Sequence, residues 1–397
     1  MARWAEPGKS LCRRAGAAAA RRDNRRMQES DVQALSATVL WCAFALSVVF
    51  GAVAQRTHFC TMGAIADVVN MGDWSRMRMW VLAIAVAVLG FNAMVGAGWI
   101  EARQSIYAGP QLLWLSSLVG GALFGFGMVL ASGCGSKSLV RLGGGNLKAL
   151  VVLLVLGVSG FATLKGLTAV LRVKTVDAAV LTLVPGQDLP TLLATWLGMP
   201  VPLAAAGLGL LVGVALLGWV LRRPEGRTAE VWLGGAGTGA VVVALWWVSG
   251  CLGYVPEHPV TLEPTFLGTS SRRMEALSMV APVGYALDWL LYFSDTSKVL
   301  TTGIVSVFGV LLGSAAVALW TGSFRWEGFG NVEDMANHLV GAALMGVGGV
   351  TAMGCTVGQG LSGISTLALG SVLALAAIVA GGVAALRYQG WRLDRMG

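Results

Sequence analysis

The sequence predicts an all-α polytopic membrane protein, with about nine transmembrane helices plus re-entrant half-helices in a pseudo-two-fold inverted repeat. Three observations predict it. The chain has 397 residues, of which 56% are hydrophobic and 12% charged, and its mean hydropathy is +0.72. A soluble domain carries about 25% charged residues, so lipid is the main solvent here. Apolar runs of the roughly 20 residues needed to cross a hydrocarbon core recur along the chain. Residues 118–135, LVGGALFGFGMVLASGCG, return 221 positions later as residues 339–356, LVGAALMGVGGVTAMGCT, with eleven of eighteen positions identical. Transporters built from two repeats place the substrate site where discontinuous helices of the halves meet.

The elements follow in order. Residues 1–30 hold Arg13, Arg14, Arg21, Arg22, Arg25 and Arg26 and an alanine run, so they read as a disordered Arg-rich tail, with Met27 as an alternative start. Residues 31–397 read as one transmembrane domain with repeat halves at about 36–171 and 229–387. Spans are expected at 36–55, 78–100, 110–131, 147–170, 201–221, 229–249, 299–321, 336–353 and 364–386. The stretch 176–199 is apolar but broken by Pro185, Gly186 and Pro190, which suits a re-entrant or interfacial segment. Residues 251–275, with Pro256, Pro259 and Pro264, read as an external loop.

Four segments are apolar but too short to span: 59–71, 132–146, 275–291 and 354–363. Non-helical backbone at membrane depth requires a protein or water-filled surround, and half-helices satisfy it. The repeat reaches these pieces too, because Gly72-Asp73-Trp74-Ser75-Arg76 precedes Ser294-Asp295-Thr296-Ser297-Lys298 by 222 positions. Five spans separate the two copies of the duplicated segment, counting one copy, and an odd number makes the halves insert in opposite orientations.

The formal charge of +8 sits largely in the tail. Without a basic patch interleaved with aromatics, nucleic-acid binding is excluded. Outside the tail, thirteen basic residues fall on one side of the expected spans and six on the other, which puts the C-terminus in the cytoplasm. The glycine clusters at 143–145 and 234–237 lack a following Lys-Ser/Thr and are not nucleotide loops.

Six cysteines occur, at 12, 42, 60, 134, 251 and 355, with three dispersed histidines, His58, His258 and His338. No CxxC or Cys/His spacing supports a metal or cofactor. Cys42 lies inside an apolar run, Cys12 in the tail and Cys251 at a helix end, and packing accounts for them. Cys60, Cys134 and Cys355 differ, because each sits where an apolar run breaks beside small residues. A helix starting there presents unpaired N–H groups and a partial positive charge, which hold an anion without a counter-ion. A thiol adds a weak, polarisable donor suited to a soft sulfur atom. The combination points to a sulfur-bearing anion as substrate. Lys165 and Asp288 are further candidates as ionisable groups in apolar segments, with snorkelling for Lys165 and capping or interhelical bonding for Asp67 and Asp288 as the plainer roles. A membrane thiol oxidoreductase using Cys60 and Cys134, or a purely structural membrane subunit, are the rival readings.

At these residues the chain resembles the YeeE/YedE sulfur-transport family, and within it the thiosulfate transporters. The matching stretches are residues 58–64 (HFCTMGA), 132–141 (SGCGSKSLVR) and 354–363 (GCTVGQGLSG), with 324–329 (FRWEGF) in support. The resemblance covers about residues 36–387. It implies an hourglass-like protein of the bacterial inner membrane that embeds in the lipid bilayer and passes thiosulfate along Cys60, Cys134 and Cys355. It also implies a small cytoplasmic TusA-like sulfurtransferase as partner. Members linked to selenium leave other sulfur or selenium species open.

Overall fold

The structure, a computed structural model, describes residues 29–396. The expectations for the tail, including Cys12 and Met27, lie outside the described residues. Helix α1 (Glu29–Arg56) carries Glu29 and Asp31 in its first turn and Arg56 in its last, charges that complement the helix dipole. A short α2 (Thr61–Met71) ends on Gly72 at φ 68, a left-handed cap that glycine adopts without strain. Helix α3 (Ser75–Gly96) follows.

Strand β1 (Gln111–Leu112) leads into α4 (Trp114–Leu130), and short α5 (Gly135–Gly143) is followed by α6 (Leu147–Lys165), started by Asn146 accepting from the Ala149 amide. After α7 (Leu167–Lys174), strand β2 (Leu181–Thr182) pairs antiparallel with β1, and α8 (Leu189–Leu197) is capped by Asp188. The broken 176–199 stretch is thus a pinned, irregular connection with one short helix. Helices α9 (Val201–Leu221) and α10 (Ala229–Trp247) follow, the latter running into a π-helical end, Val248–Leu252, that buries Cys251. The 251–275 loop holds a two-residue ribbon, β3 (Tyr254–Val255) against β4 (Thr265–Phe266). The chain closes with short α11 (Val280–Leu291), α12 (Thr302–Trp320), α13 (Val332–Thr351), a π-helical turn at Gly358–Gly363, and α14 (Leu369–Met396).

Eight stretches among the described residues are long and apolar enough to cross a membrane, namely 29–71, 75–96, 114–143, 147–165, 201–221, 229–252, 302–320 and 369–392. The ninth expected span is α13, which has the length at 20 residues but starts with Glu333, Asp334, Asn337 and His338, so its apolar window is short. It packs between α4 and α6. The four short segments form α2, α5, α11 and the 358–363 turn.

Packing partners come in pairs that the repeat exchanges. Helix α1 packs on α12 as α10 packs on α3; α4 packs on α14 as α13 packs on α6; α2 packs on α3 as α11 packs on α12. Helix α9 stands outside the scheme and joins the halves. The two duplicated helices run antiparallel against each other. A Cβ on Gly120 would sit 2.7 Å from the Gly348 carbonyl oxygen, and one on Gly127 would sit 2.6 Å from that of Gly341. Gly120 corresponds to Gly341 in the repeat and Gly127 to Gly348, so the start of α4 meets the end of α13 and the end of α4 meets the middle of α13. Small residues allow that approach, which replaces hydrophobic drive in lipid.

The ion pairs repeat as well. Arg76 Nε lies 2.6 Å from Asp67 Oδ2, and Lys298 Nζ lies 2.6 Å from Asp288 Oδ2. Arg76 ties α2 to the start of α3, and Lys298 ties α11 to the turn before α12. Asp73 and Asp295 each accept from the amide two residues on, both at 2.9 Å, making matched turns. Asp67 and Asp288 therefore serve interhelical pairing.

Candidate functional site

Three turns of one design carry the three cysteines. Each long helix ends with an amide bonded five residues back: Phe59 N–H to Ala54 (3.2 Å), Gly133 to Met128 (2.8 Å) and Gly354 to Gly349 (2.8 Å). This is the Schellman closure, which needs one left-handed residue. His58, Ser132 and Met353 fill that slot at φ 51, 55 and 57, although none is glycine. Two residues later the cysteine opens the next short helix. Cys60 Sγ accepts from the Gly63 amide at 3.3 Å and Cys355 Sγ from that of Gly358 at 3.4 Å. Cys134 Sγ lies 3.2 Å from Ser136 Oγ. At Cys60 and Cys355 the thiol takes the place a Ser or Asp oxygen usually holds at a helix start, whereas the Cys134 thiol caps no amide. All three thiols are free and buried, at 8%, 1% and 0% exposure.

These turns meet. Cys134 is close enough to act electrostatically on both Cys60 and Cys355. A fourth short helix joins them: the Met279 amide, at the start of α11, lies beside the Cys355 sulfur, and a Cβ on Gly135 would sit 3.8 Å from that of Met279. Four helix N-termini thus gather around buried sulfur, each adding a positive dipole end. Cys134 and Cys355 follow opposite ends of the antiparallel α4–α13 pair, so their turns approach from opposite faces.

Buried polar groups near Cys355 lack partners in the protein. Trp80 Nε1, Tyr107 Oη and Thr356 Oγ1 are buried without a hydrogen bond, as is the Gln359 Oε1 acceptor. The Tyr107 hydroxyl lies 3.4 Å from where a Gly358 Cβ would stand, and the Trp80 ring 2.7 Å from a Cβ on Gly360. A buried donor left unpaired costs about 1–3 kcal/mol, so such a cluster suits a polar guest. On this side a cavity of about 320 Å³ is lined by Tyr107, Gln187, Arg273, Met353, Gln359 and Ser371. On the Cys60 side the charged neighbours of His58 are Lys137, Arg76 and Arg56 with the acid Glu230 among them, and Arg141 donates to the Ser132 carbonyl at 3.1 Å.

Lys165 is not part of this gathering; it sits exposed at the end of α6, 5.8 Å from the centre of the Phe161 ring. Sequence reasoning missed Trp80, Tyr107, Arg273, Met279 and Gln359. A glutamine inside an apolar run beside Gly-Cys was the one signal available.

A sequence profile described as Sulphur transport matches residues 56–384, spanning all three cysteine turns. The chain belongs to this sulphur-transport family. Among relatives, Thiosulfate transporter TsuA of Spirochaeta thermophila is 26% identical over 349 residues, 85% of this chain and 94% of that protein. Thiosulfate transporter TsuA of Escherichia coli is 25% identical over 321 residues, 78% of this chain and 83% of that protein. Probable transporter YedE of Escherichia coli is 30% identical over 110 residues, 27% of this chain and 25% of that protein. Family membership and the apolar spans together make this a multi-pass membrane protein.

Proposed function

We propose that the protein imports thiosulfate across the bacterial inner membrane along Cys355, Cys134 and Cys60. The observation that carries this reading is the gathering of four helix N-termini around three free, buried thiols. Amide dipoles stabilise a dianion without a fixed cation that would trap it. Thiols are weak donors that match a terminal sulfur and let it go. The unpaired hydroxyls of Tyr107 and Thr356 and the Trp80 N–H suit sulfonyl oxygens. Arg273 collects the anion at the outer cavity, and the Arg56, Arg76 and Lys137 mouth receives it on the cytoplasmic side. The same mouth is the surface for a small TusA-like sulfurtransferase that consumes the product. No bond to cysteine forms in this scheme.

Moving a dianion inward against about 100 mV costs roughly 4.6 kcal/mol, at about 2.3 kcal/mol per charge. Consumption inside, a steep gradient or a co-transported proton offsets it. The test is growth of a bacterium lacking sulfate and thiosulfate uptake on single sulfur sources, with this gene supplied. Growth on thiosulfate that depends on the gene supports the reading, and gene-dependent growth on sulfite but not on thiosulfate replaces the substrate. The rival, a thiol oxidoreductase, draws on the proximity of Cys60 and Cys134. It requires their thiols to be lost to a disulfide with an electron acceptor and regained with an electron donor, which thiol titration detects.

A further inference from the structure

A second charged cavity lies away from the cysteines, where α3 and α9 meet, with a volume of about 520 Å³ and Trp74, Arg78, Trp219, Arg222, Arg223 and Glu225 on its walls. Arg78 is 8% exposed, and its Nε has no hydrogen-bond partner. Its guanidinium stacks over the Trp219 ring at 4.8 Å and donates to the Trp219 carbonyl at 3.1 Å, which fixes it in place. The Arg78 Nε forms a long ion pair, 3.5 Å, with the half-exposed Glu225. Asp73 is occupied by the Ser75 amide and hydroxyl. Arg222 and Arg223 extend into solvent beside the cavity.

The surroundings belong to the lipid boundary. Trp74 and Trp219 stack edge to face at 6.0 Å at the ends of two spans, the position of an aromatic belt. Helix α9 stands outside the repeats and exposes Leu203, Leu210, Leu211 and Val214 along its length. A fixed buried guanidinium, two free ones and an apolar wall below match a phosphodiester with acyl chains attached, better than a small hydrated ion.

We infer that this cavity binds the phosphate of an anionic membrane phospholipid, with Arg78 as the inner contact and Arg222 and Arg223 as the outer ones. Basic pockets at helix ends hold lipid headgroups by this chemistry.

The test is native mass spectrometry of the detergent-purified full chain with phosphatidylglycerol or phosphatidylcholine of matched chains. Phosphatidylglycerol should bind more tightly, and the double variant Arg222→Gln/Arg223→Gln should weaken it about 25-fold, given about fivefold per surface arginine. Glu225→Gln should tighten it. Both arginines are exposed, so an unchanged melting temperature without lipid reports intact folding. Equal affinity for the two lipids, or an unchanged preference in the folded double variant, would overturn the assignment. Inorganic phosphate stabilising the protein as well as phosphatidylglycerol does would overturn it too, in favour of a soluble anion site.

Discussion

Gly120, near the start of α4, lies against the Gly348 carbonyl, near the end of α13, and the pair Gly127–Gly341 repeats that contact between the end of α4 and the middle of α13. The repeat exchanges these two contacts, so one backbone approach fixes both the antiparallel crossing and the opposite approach of the Cys134 and Cys355 turns.

Gly120→Val should therefore destabilise the protein by about 1–3 kcal/mol through overpacking at a backbone contact. Gly207 on α9 meets nothing within 4 Å, so Gly207→Ala should be neutral or add up to about 1 kcal/mol from helix propensity. Melting temperatures of the two variants in one detergent check the contrast.

The repeated ion pairs predict an asymmetry. The Asp67 side chain is 6% exposed and that of Arg76 is 42% exposed. Arg76→Gln strands a buried carboxylate and should cost about 2–3 kcal/mol, while Asp67→Asn leaves a hydrated guanidinium and should cost under about 1 kcal/mol. Lys298→Gln against Asp288→Asn should rank the same way. Denaturation of the four variants reads both differences.

The left-handed residues give a third prediction. A non-glycine residue there costs about 1–2 kcal/mol, so Ser132→Gly should stabilise the fold. Ser132→Val should cost more than the wild-type residue does, because branching at Cβ worsens the clash. Parallel melts of the two variants check the sign.

Glu275, in the loop before α11, predicts a pH dependence. Burial raises its pKa above the ordinary 4.5, against bonds from Ser271 and Ser270 that lower it. A raised folded pKa means the native state holds the proton more tightly, so this group's contribution to stability is lost as pH rises from about 4.5 through the raised value. Glu275→Gln should flatten that part of the pH–stability profile; a profile unchanged by the substitution would contradict it.

Much of this was legible in the sequence. Apolar length marked the spans, and the Gly-Cys breaks marked the ends of α4 and α13, because a Schellman turn and a helix start leave small residues behind. Asp67 and Asp288 were legible as partners through their matched places. Met279 was not, since the fourth short helix begins without a cysteine. Tyr107 and Gln359 lie 252 positions apart, and only the fold brings them to one cavity. The 176–199 stretch was ambiguous because its anchors are remote: Leu183 donates to Pro110, and Gln187 to the Tyr107 carbonyl.

The central claim is that three thiols at helix starts carry the anion. Uptake of ³⁵S-labelled thiosulfate into proteoliposomes, compared at equal protein insertion, tests it most directly. Cys60→Ala, Cys134→Ala and Cys355→Ala should each abolish or strongly reduce uptake, while Cys42→Ala should match the wild type. Wild-type uptake by a folded triple variant lacking Cys60, Cys134 and Cys355 would contradict the account.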